Sequence, residues 1–374
     1  MMQDLVVVGA SFAGLACARA AARAGMRVLV LEKKQAAGAR LHTTGLIVKD
    51  AVDEVEWLRE VPGELVRRID GVRLYAPNLR HLDLHAPGYY FWATDTTALL
   101  DWMVGSVRAA GAEVRLETLF TGARYVNATR SWRIPLHSGE VIDARYLVGA
   151  DGPLSRVAKS LGLSQNRDFL FGLEREYPDA EMERNFLHCF IDRQLAPGYI
   201  GWAFAGVGTA QVGLARRVVP GAWQGRVKLD ALLAKAVDHV RPLGAPRSVR
   251  AGMIPCGGLL EHVSRPGALL VGDAAGMVSP ATAGGIHTAL LHGQQTGEAV
   301  ASFLQGRARD PAEWLPRHYP RFRAKRAMRW LFERLQNDWL FDQMLGTAPM
   351  RRLAEEVYFH RKGATGLHAH PEQP

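Results

Sequence analysis

The chain opens on an unbroken apolar run, Leu5-Val6-Val7-Val8, whose lack of polar alternation predicts a strand buried on both faces. Gly9-Ala10-Ser11-Phe12-Ala13-Gly14 then supplies small residues for a tight turn, Leu15 to Ala24 reads as an Ala-rich helix, and Arg27 to Leu31 as a second strand. The same strand–turn–helix order returns twice. Residues 144–157 pass from a strand through Gly149-Ala150-Asp151-Gly152 into a helix start, where Pro153 and Ser155 suit the first turn. Residues 268–276 repeat it, and Ser279-Pro280-Ala281-Thr282-Ala283-Gly284-Gly285-Ile286 leads into a long helix towards Leu304. Between these blocks the period changes. Val72–Tyr75, Phe186–Phe190 and Gln211–Leu214 are aromatic or alternating segments bounded by Pro, Gly or charged turns, as in an antiparallel sheet.

Length and charge narrow the class. At 374 residues the chain exceeds the roughly 150 residues of one ordinary domain, so two or three lobes are expected and a small binding module is excluded. Hydrophobic residues at 48% and charged residues at 22% exclude a long disordered or collagen-like chain. Three scattered cysteines, Cys17, Cys189 and Cys256, form no CxxC pair, and His287 and His292 stand five apart, so no metal site is expected. The net charge of +9 suits an anionic cofactor, a nucleic acid or an acidic lipid surface without choosing among them. From about Trp314 onward, Arg321, Arg323, Lys325, Arg326 and Arg329 precede Trp330, Leu331, Phe332, Leu335, Trp339, Leu340, Phe341, Met344 and Leu345 at helical spacings. This segment reads either as a helical cap over the substrate region or as a helix lying at a lipid interface. No RNP, KH or zinc pattern accompanies it, so no nucleic-acid partner is expected. No signal peptide precedes the first strand and no membrane-span-length apolar run occurs, which makes a cytoplasmic location the expectation, with peripheral contact at the inner membrane face as the variant.

The first block carries chemistry. Gly9 permits a sharp turn, helix N-terminal N–H groups face a pyrophosphate, Gly14 lets helix and strand pack closely, and Glu32, 18 residues after Gly14, can accept hydrogen bonds from ribose hydroxyls. A dinucleotide is the expected ligand. In the third block Asp273 can hold a ribose or ribityl hydroxyl, while Gly284 and Gly285 bare helix N–H groups to a ring edge. Either of the later segments alone would also suit an ordinary strand–turn–helix.

Taken together, GxSxAG with Glu32, then GADGxxS, then GDAAGxxxPxxxGGI resemble the FAD-dependent oxidoreductases of the p-hydroxybenzoate hydroxylase superfamily. Within it, Gly198-Tyr199-Ile200-Gly201-Trp202-Ala203-Phe204 and Gly252-Met253-Ile254-Pro255-Cys256-Gly257-Gly258 are similar to patterns of the geranylgeranyl reductase family. The resemblance implies an α/β fold: a Rossmann-like FAD-binding domain interleaved with an antiparallel-sheet substrate domain and a C-terminal helical segment. Residues 1–50, 91–165 and 256–305 are assigned to the first, 51–90 and 166–255 to the second, 306–362 to the helical region and 363–374 to a flexible tail. The resemblance places Gly9, Ser11, Phe12, Ala13, Gly14, Glu32, Lys33, Arg40, Phe120, Gly272, Asp273, Pro280, Gly284, Gly285 and Ile286 against FAD.

It further implies reduction of an isoprenoid-type double bond, or alternatively hydroxylation of an aromatic or polyketide substrate. Gly206-Val207-Gly208-Thr209-Ala210-Gln211 lacks the last glycine of a second fingerprint, so the reductant, NAD(P)H or a small redox protein, is expected to be external. Departures from the family are clear. Arg40-Leu41-His42-Thr43-Thr44-Gly45-Leu46 stands where reductases commonly place Cys-Gly-Gly, Thr97 where relatives usually carry arginine, and Ala205 where proline is usual. The proton-donor candidates are His42 and Thr44 on the flavin loop, Tyr199 and Trp202 on the roof, and His287 after the Gly-Gly-Ile turn. For each, a packing or capping role is the alternative.

Overall fold

A computed structural model describes residues 2–219, 221 and 227–359. Its centre is an eight-stranded sheet ordered Ser264–Arg265, Ala268–Leu270, Val141–Gly149, Gln3–Val8, Val28–Leu31, Glu113–Arg115, with Ser131–Pro135 and Arg124–Val126 branching from Val141–Gly149. The central pairs run parallel. Parallel strands covered on both faces need continuous apolar side chains, and Leu5, Val6, Val7, Leu29 and Val30 are fully buried. The helix Phe12–Arg23 covers one face and meets Ile286–Leu304 at very short range. A Cβ at Gly293 would stand 2.4 Å from the Ala13 carbonyl oxygen, and one at Gly297 2.2 Å from that of Cys17.

Above this lobe lies a seven-stranded roof ordered Ser248–Pro255, Phe169–Tyr177, Ala210–Arg217, Gly201–Ala205, Phe186–Phe190, Gly71–Tyr75, His81–His85. It departs from the expected antiparallel sheet at one place. Phe186–Phe190 pairs parallel to Gly71–Tyr75 because the chain leaves the roof after His85, crosses the lower lobe, and re-enters in the same direction. A second difference concerns residues 51–60. Trp57 lies in the core of the lower lobe, its ring centroid 5.9 Å from Trp102, its indole N–H donating to Ser106 Oγ at 3.2 Å and the Arg19 guanidinium 4.7 Å above it. The stretch therefore packs with the lower lobe, and the roof begins only at Gly71. Pro153 stands before, not within, its helix: Ser155 caps Arg156–Leu161, and Asp151 accepts from Ser155 Oγ, Arg156 N and Val157 N at 2.6, 2.6 and 3.1 Å. Three helices follow the lower lobe, Arg323–Leu335, Asp338–Met344 and Ala348–Phe359. The assigned tail, 363–374, lies outside the described residues.

Candidate FAD site

The first turn leaves no choice of residue at two positions. Gly9 adopts φ +107°, and a Cβ there would fall 2.3 Å from the Ala150 carbonyl oxygen; a Cβ at Gly14 would fall 1.9 Å from that of Gly9. Ser11 is the extended N-cap of Phe12–Arg23, its side chain exposed and not used as a cap, and no acid occupies the first turn. The helix N-terminus thus presents open N–H groups and uncompensated positive dipole, which favour an anion. Glu32 is buried at the end of Val28–Leu31, one oxygen accepting from Ala10 N at 2.9 Å and the other from Lys34 N at 3.0 Å. Those bonds fix the carboxylate beside the turn and leave lone pairs for ligand hydroxyls. Lys33 and Arg40 are exposed at its flank, Arg40 with φ +47°. Phe120 is different: its side chain belongs to the buried core, paired across a bridge with Leu136, so only its backbone can meet a ligand.

The third block arrives at the same place. Gly272 adopts φ +64°, and a Cβ there would lie 2.9 Å from Ala13 Cβ, so the turn after Ala268–Leu270 abuts the start of the first helix. Asp273 follows, half-buried, its carboxyl pushed up to about 6 by burial. A Cβ on Gly285, the N-cap of Ile286–Leu304, would lie 3.5 Å from Asp273 Oδ1. Ser279 N donates to Gly284 O at 2.9 Å and closes the Pro280-containing turn ahead of Ile286. Two helix N-termini, a desolvated carboxyl and a cradle that side chains would fill match a dinucleotide with an attached ring system. These residues fit FAD.

The roof contributes its own polar atoms, and most are already engaged. His42 donates Nδ1–H to Ala251 O at 2.6 Å. Tyr199 donates its hydroxyl to Thr282 O at 2.6 Å, and burial raises its pKa further from the range of a useful acid. Trp202 Nε1 donates to Glu174 Oε2 at 2.7 Å, and His287 Nε2 pairs with Glu54 Oε2 at 2.9 Å. Thr44 is half-buried, and its carbonyl lies 3.0 Å from the Gln211 amide nitrogen once that amide is assigned with its nitrogen toward the acceptors. Cys256 is buried with its thiol pKa raised by desolvation, an inert setting. A cavity of about 490 Å³ lined by Arg73, Tyr75, Glu181, His239 and Arg241 lies on the opposite face of the roof, away from every glycine turn.

Two features were not among the sequence candidates. Glu174 is buried beneath the roof, pushed up to about 7 chiefly by desolvation. The usable signal was parity, since Glu174 shares the face of Leu170 along Phe169–Tyr177. Arg329, only 7% exposed, donates to Pro280 O and Gly198 O, both at 3.1 Å, and pairs with Glu333 at 2.5 Å. It joins the basic helix to both lobes. The other face of that helix leaves Trp330 55% and Trp339, just beyond it, 70% exposed.

Fold and site together define a flavoprotein oxidoreductase built on a Rossmann-like lobe. The chain belongs to the FAD binding domain family, which it matches over residues 2–331. It is an FAD-dependent oxidoreductase. Among curated proteins it is 30% identical over 324 residues to digeranylgeranylglycerophospholipid reductase 2 of Methanopyrus kandleri, covering 81% of this chain and 78% of the relative. Reductase 1 of the same organism is 30% identical over 318 residues, covering 81% of each. Among solved structures, a geranylgeranyl bacteriochlorophyll reductase-like protein from Thermoplasma acidophilum superposes with TM-score 0.80 at 20% identity, covering 96% of this chain and 97% of the other. The p-nitrophenol 4-monooxygenase of Pseudomonas putida shares the fold with TM-score 0.72 at 15% identity, covering 96% and 98%.

Proposed function

We propose that the protein reduces a carbon–carbon double bond of a large isoprenoid substrate, drawing electrons from an external NAD(P)H or small redox protein. The observation that carries this reading is the inner face of the roof. Leu170, Leu187, Phe204 and Ala215 form one buried apolar surface that continues through Tyr199 and Phe91 to Leu46 and Val48, beside the expected flavin loop. Such a wall excludes water and favours an extended hydrocarbon over a small polar ring. The likeness to relatives named for reducing digeranylgeranylglycerophospholipids supports the same substrate class.

Bound FAD supplies the two-electron chemistry, held by Glu32, Asp273 and the N–H groups at Ser11 and Gly285. The protein's remaining task is orientation. Tyr199 ties the roof to the Thr282 turn, and Arg329 ties both to the basic helix. His42 donates Nδ1–H to Ala251 O, which fixes the orientation of its ring on the loop. An isoprenoid lipid also gives a role to the exposed face of Trp330, Leu331, Leu335 and Trp339, flanked by exposed Arg323, Arg326 and Arg334: contact with an anionic bilayer surface.

The test is an anaerobic single turnover of the pre-reduced protein with prenyl lipids, read by mass analysis. Gain of two hydrogens per double bond without oxygen is the expected result. A requirement for oxygen, with labelled oxygen in the product, would replace this reading by the monooxygenase one.

A further inference from the structure

Polar side chains gather at one point of the otherwise apolar inner roof. Glu174 stands opposite Gly213 on one neighbouring strand and Arg250 on the other. Gly213 has no side chain, and the Trp202 indole fills its place, since a Cβ there would lie 2.3 Å from Trp202 Cζ2. One Glu174 oxygen accepts from Trp202 Nε1 at 2.7 Å. The other accepts from Arg250 Nη1 at 3.4 Å and, with the Gln211 amide assigned so that its nitrogen rather than its oxygen faces the two acceptors, from Gln211 at 3.1 Å. Both of these donors also reach the Arg40–Leu46 loop, Arg250 Nη1 to Thr43 O at 3.4 Å and Gln211 to Thr44 O at 3.0 Å.

We propose that Glu174 is a positioning residue that ties the Thr43–Thr44 backbone to the roof, so that the loop beside the cofactor crevice and the Trp202 wall hold one arrangement. This rests on the FAD placement above. The argument is geometric. Arg250 Nη1 and the Gln211 amide nitrogen each sit between a loop carbonyl and the same carboxylate oxygen, and a buried charge-assisted acceptor orders such donors more strongly than a neutral one. The opposite edge of the loop is already fixed. Thr94 Oγ1 donates to Gly45 O at 2.9 Å, and a Cβ on Gly45 would strike Thr96 Oγ1 at 1.8 Å, while His42 reaches the roof separately through Ala251 O, so the Thr43–Thr44 carbonyls are the part of the loop whose tie to the roof runs through Glu174.

The titratable and charged groups facing this point are Arg250, Glu176 on the same strand, and His42 on the loop. Glu176 shares Arg250 at 3.4 Å and accepts from Ser248 Oγ at 2.8 Å and Thr209 Oγ1 at 3.2 Å. Arg250 is thus divided between two acids and a carbonyl, and burial keeps Glu174 near neutrality, up to about 7. Lowering the pH through that value removes the acceptor charge and loosens the tie.

The exposed Arg40 bond gives the readout: trypsin cleavage of the full chain, with and without added FAD, between pH 6 and 8, normalised to a short peptide substrate. Wild type is expected to be cleaved roughly three- to tenfold faster at pH 6 than at pH 8, the range expected from partial loss of one charge-assisted bond. His42→Ala keeps that profile, Glu174→Gln is fast throughout, and Gln211→Leu is faster at both pH values while keeping the slope. A flat wild-type profile, a slope that survives in Glu174→Gln, or a slope abolished by His42→Ala would each overturn the proposal. Wild type that binds no FAD by fluorescence quenching, yet shows the Glu174-dependent profile, would refute the cofactor placement and uphold the tie.

Discussion

Asp273 is the residue whose cost and use can be separated by experiment. Its carboxyl is raised from 3.8 to about 6 by burial, a difference of about two pH units, or about 3 kcal/mol at about 1.4 kcal/mol per unit. A carboxyl with a folded pKa above its unfolded one favours folding only while protonated. Its contribution is full below about 3.8 and is lost as pH rises through about 6. Asp273→Asn is neutral throughout, so the flavin-free wild type should lose up to about 3 kcal/mol relative to the variant between about pH 4 and pH 7. Because Asp273 is half-buried and water reaches part of it, the observed loss should fall toward the lower part of that range. FAD binding should run the other way. Hydroxyls donating to the ionised carboxylate contribute about 1.5–3 kcal/mol each, so Asp273→Asn should weaken FAD binding at pH 7.5 by about 10- to 150-fold. Wild-type affinity should itself fall with decreasing pH below about 6, as the carboxylate must first shed its proton. The assays are urea unfolding of the flavin-free protein at several pH values and FAD titration by fluorescence quenching. Parallel unfolding curves for the two proteins, or equal FAD affinity at pH 7.5, would refute the assignment.

Glu32→Ala removes the acceptor for Ala10 N and Lys34 N, and FAD dissociation measured by ultrafiltration should accelerate by at least about tenfold, the equivalent of one charge-assisted bond. Gly293→Ala places a Cβ against the Ala13 carbonyl and should destabilise the chain by roughly 1–3 kcal/mol in urea, the usual range for overpacking; unchanged stability would contradict the close helix contact. Trp330→Ser combined with Trp339→Ser should reduce sedimentation with anionic phospholipid vesicles by about 30-fold, roughly 2 kcal/mol for two partly buried aromatic side chains, while leaving FAD binding intact. Retained vesicle binding would remove the bilayer from the functional reading.

What could be read from the chain followed the range of the force responsible. Gly9, Gly14, Gly272 and Gly285 were visible because each stands at a strand end or helix start, although the residues that press on Gly9 and Gly272, Ala150 and Ala13, are distant in sequence. Glu32 was visible by spacing, but its bonds to Ala10 and Lys34 belong to the folded turn. Trp57 was assigned to the other lobe because its partner, Trp102, lies on a distant helix and no local period points to it. Glu174 escaped because an acid is read as outward by default, and only its parity with Leu170, on a strand covered on both faces, places it inward. Arg329 looks in sequence like any other member of a basic run, and only the carbonyls of Pro280 and Gly198, supplied by two separate lobes, distinguish it from Arg326 or Arg334. The parallel pair in the roof likewise depends on the route between strands, not on their composition.

The contact of Gly293 with Ala13 also orders events in time. The Gly9–Gly14 turn and the helix that braces it are separated by some 280 residues of chain, so the brace is made well after the turn. Until then the Phe12–Arg23 helix lacks its partner, and the nascent chain must keep that surface from self-association. Closure of this turn therefore waits on the helix Ile286–Leu304, and a chain lacking that helix cannot hold the turn in its braced form.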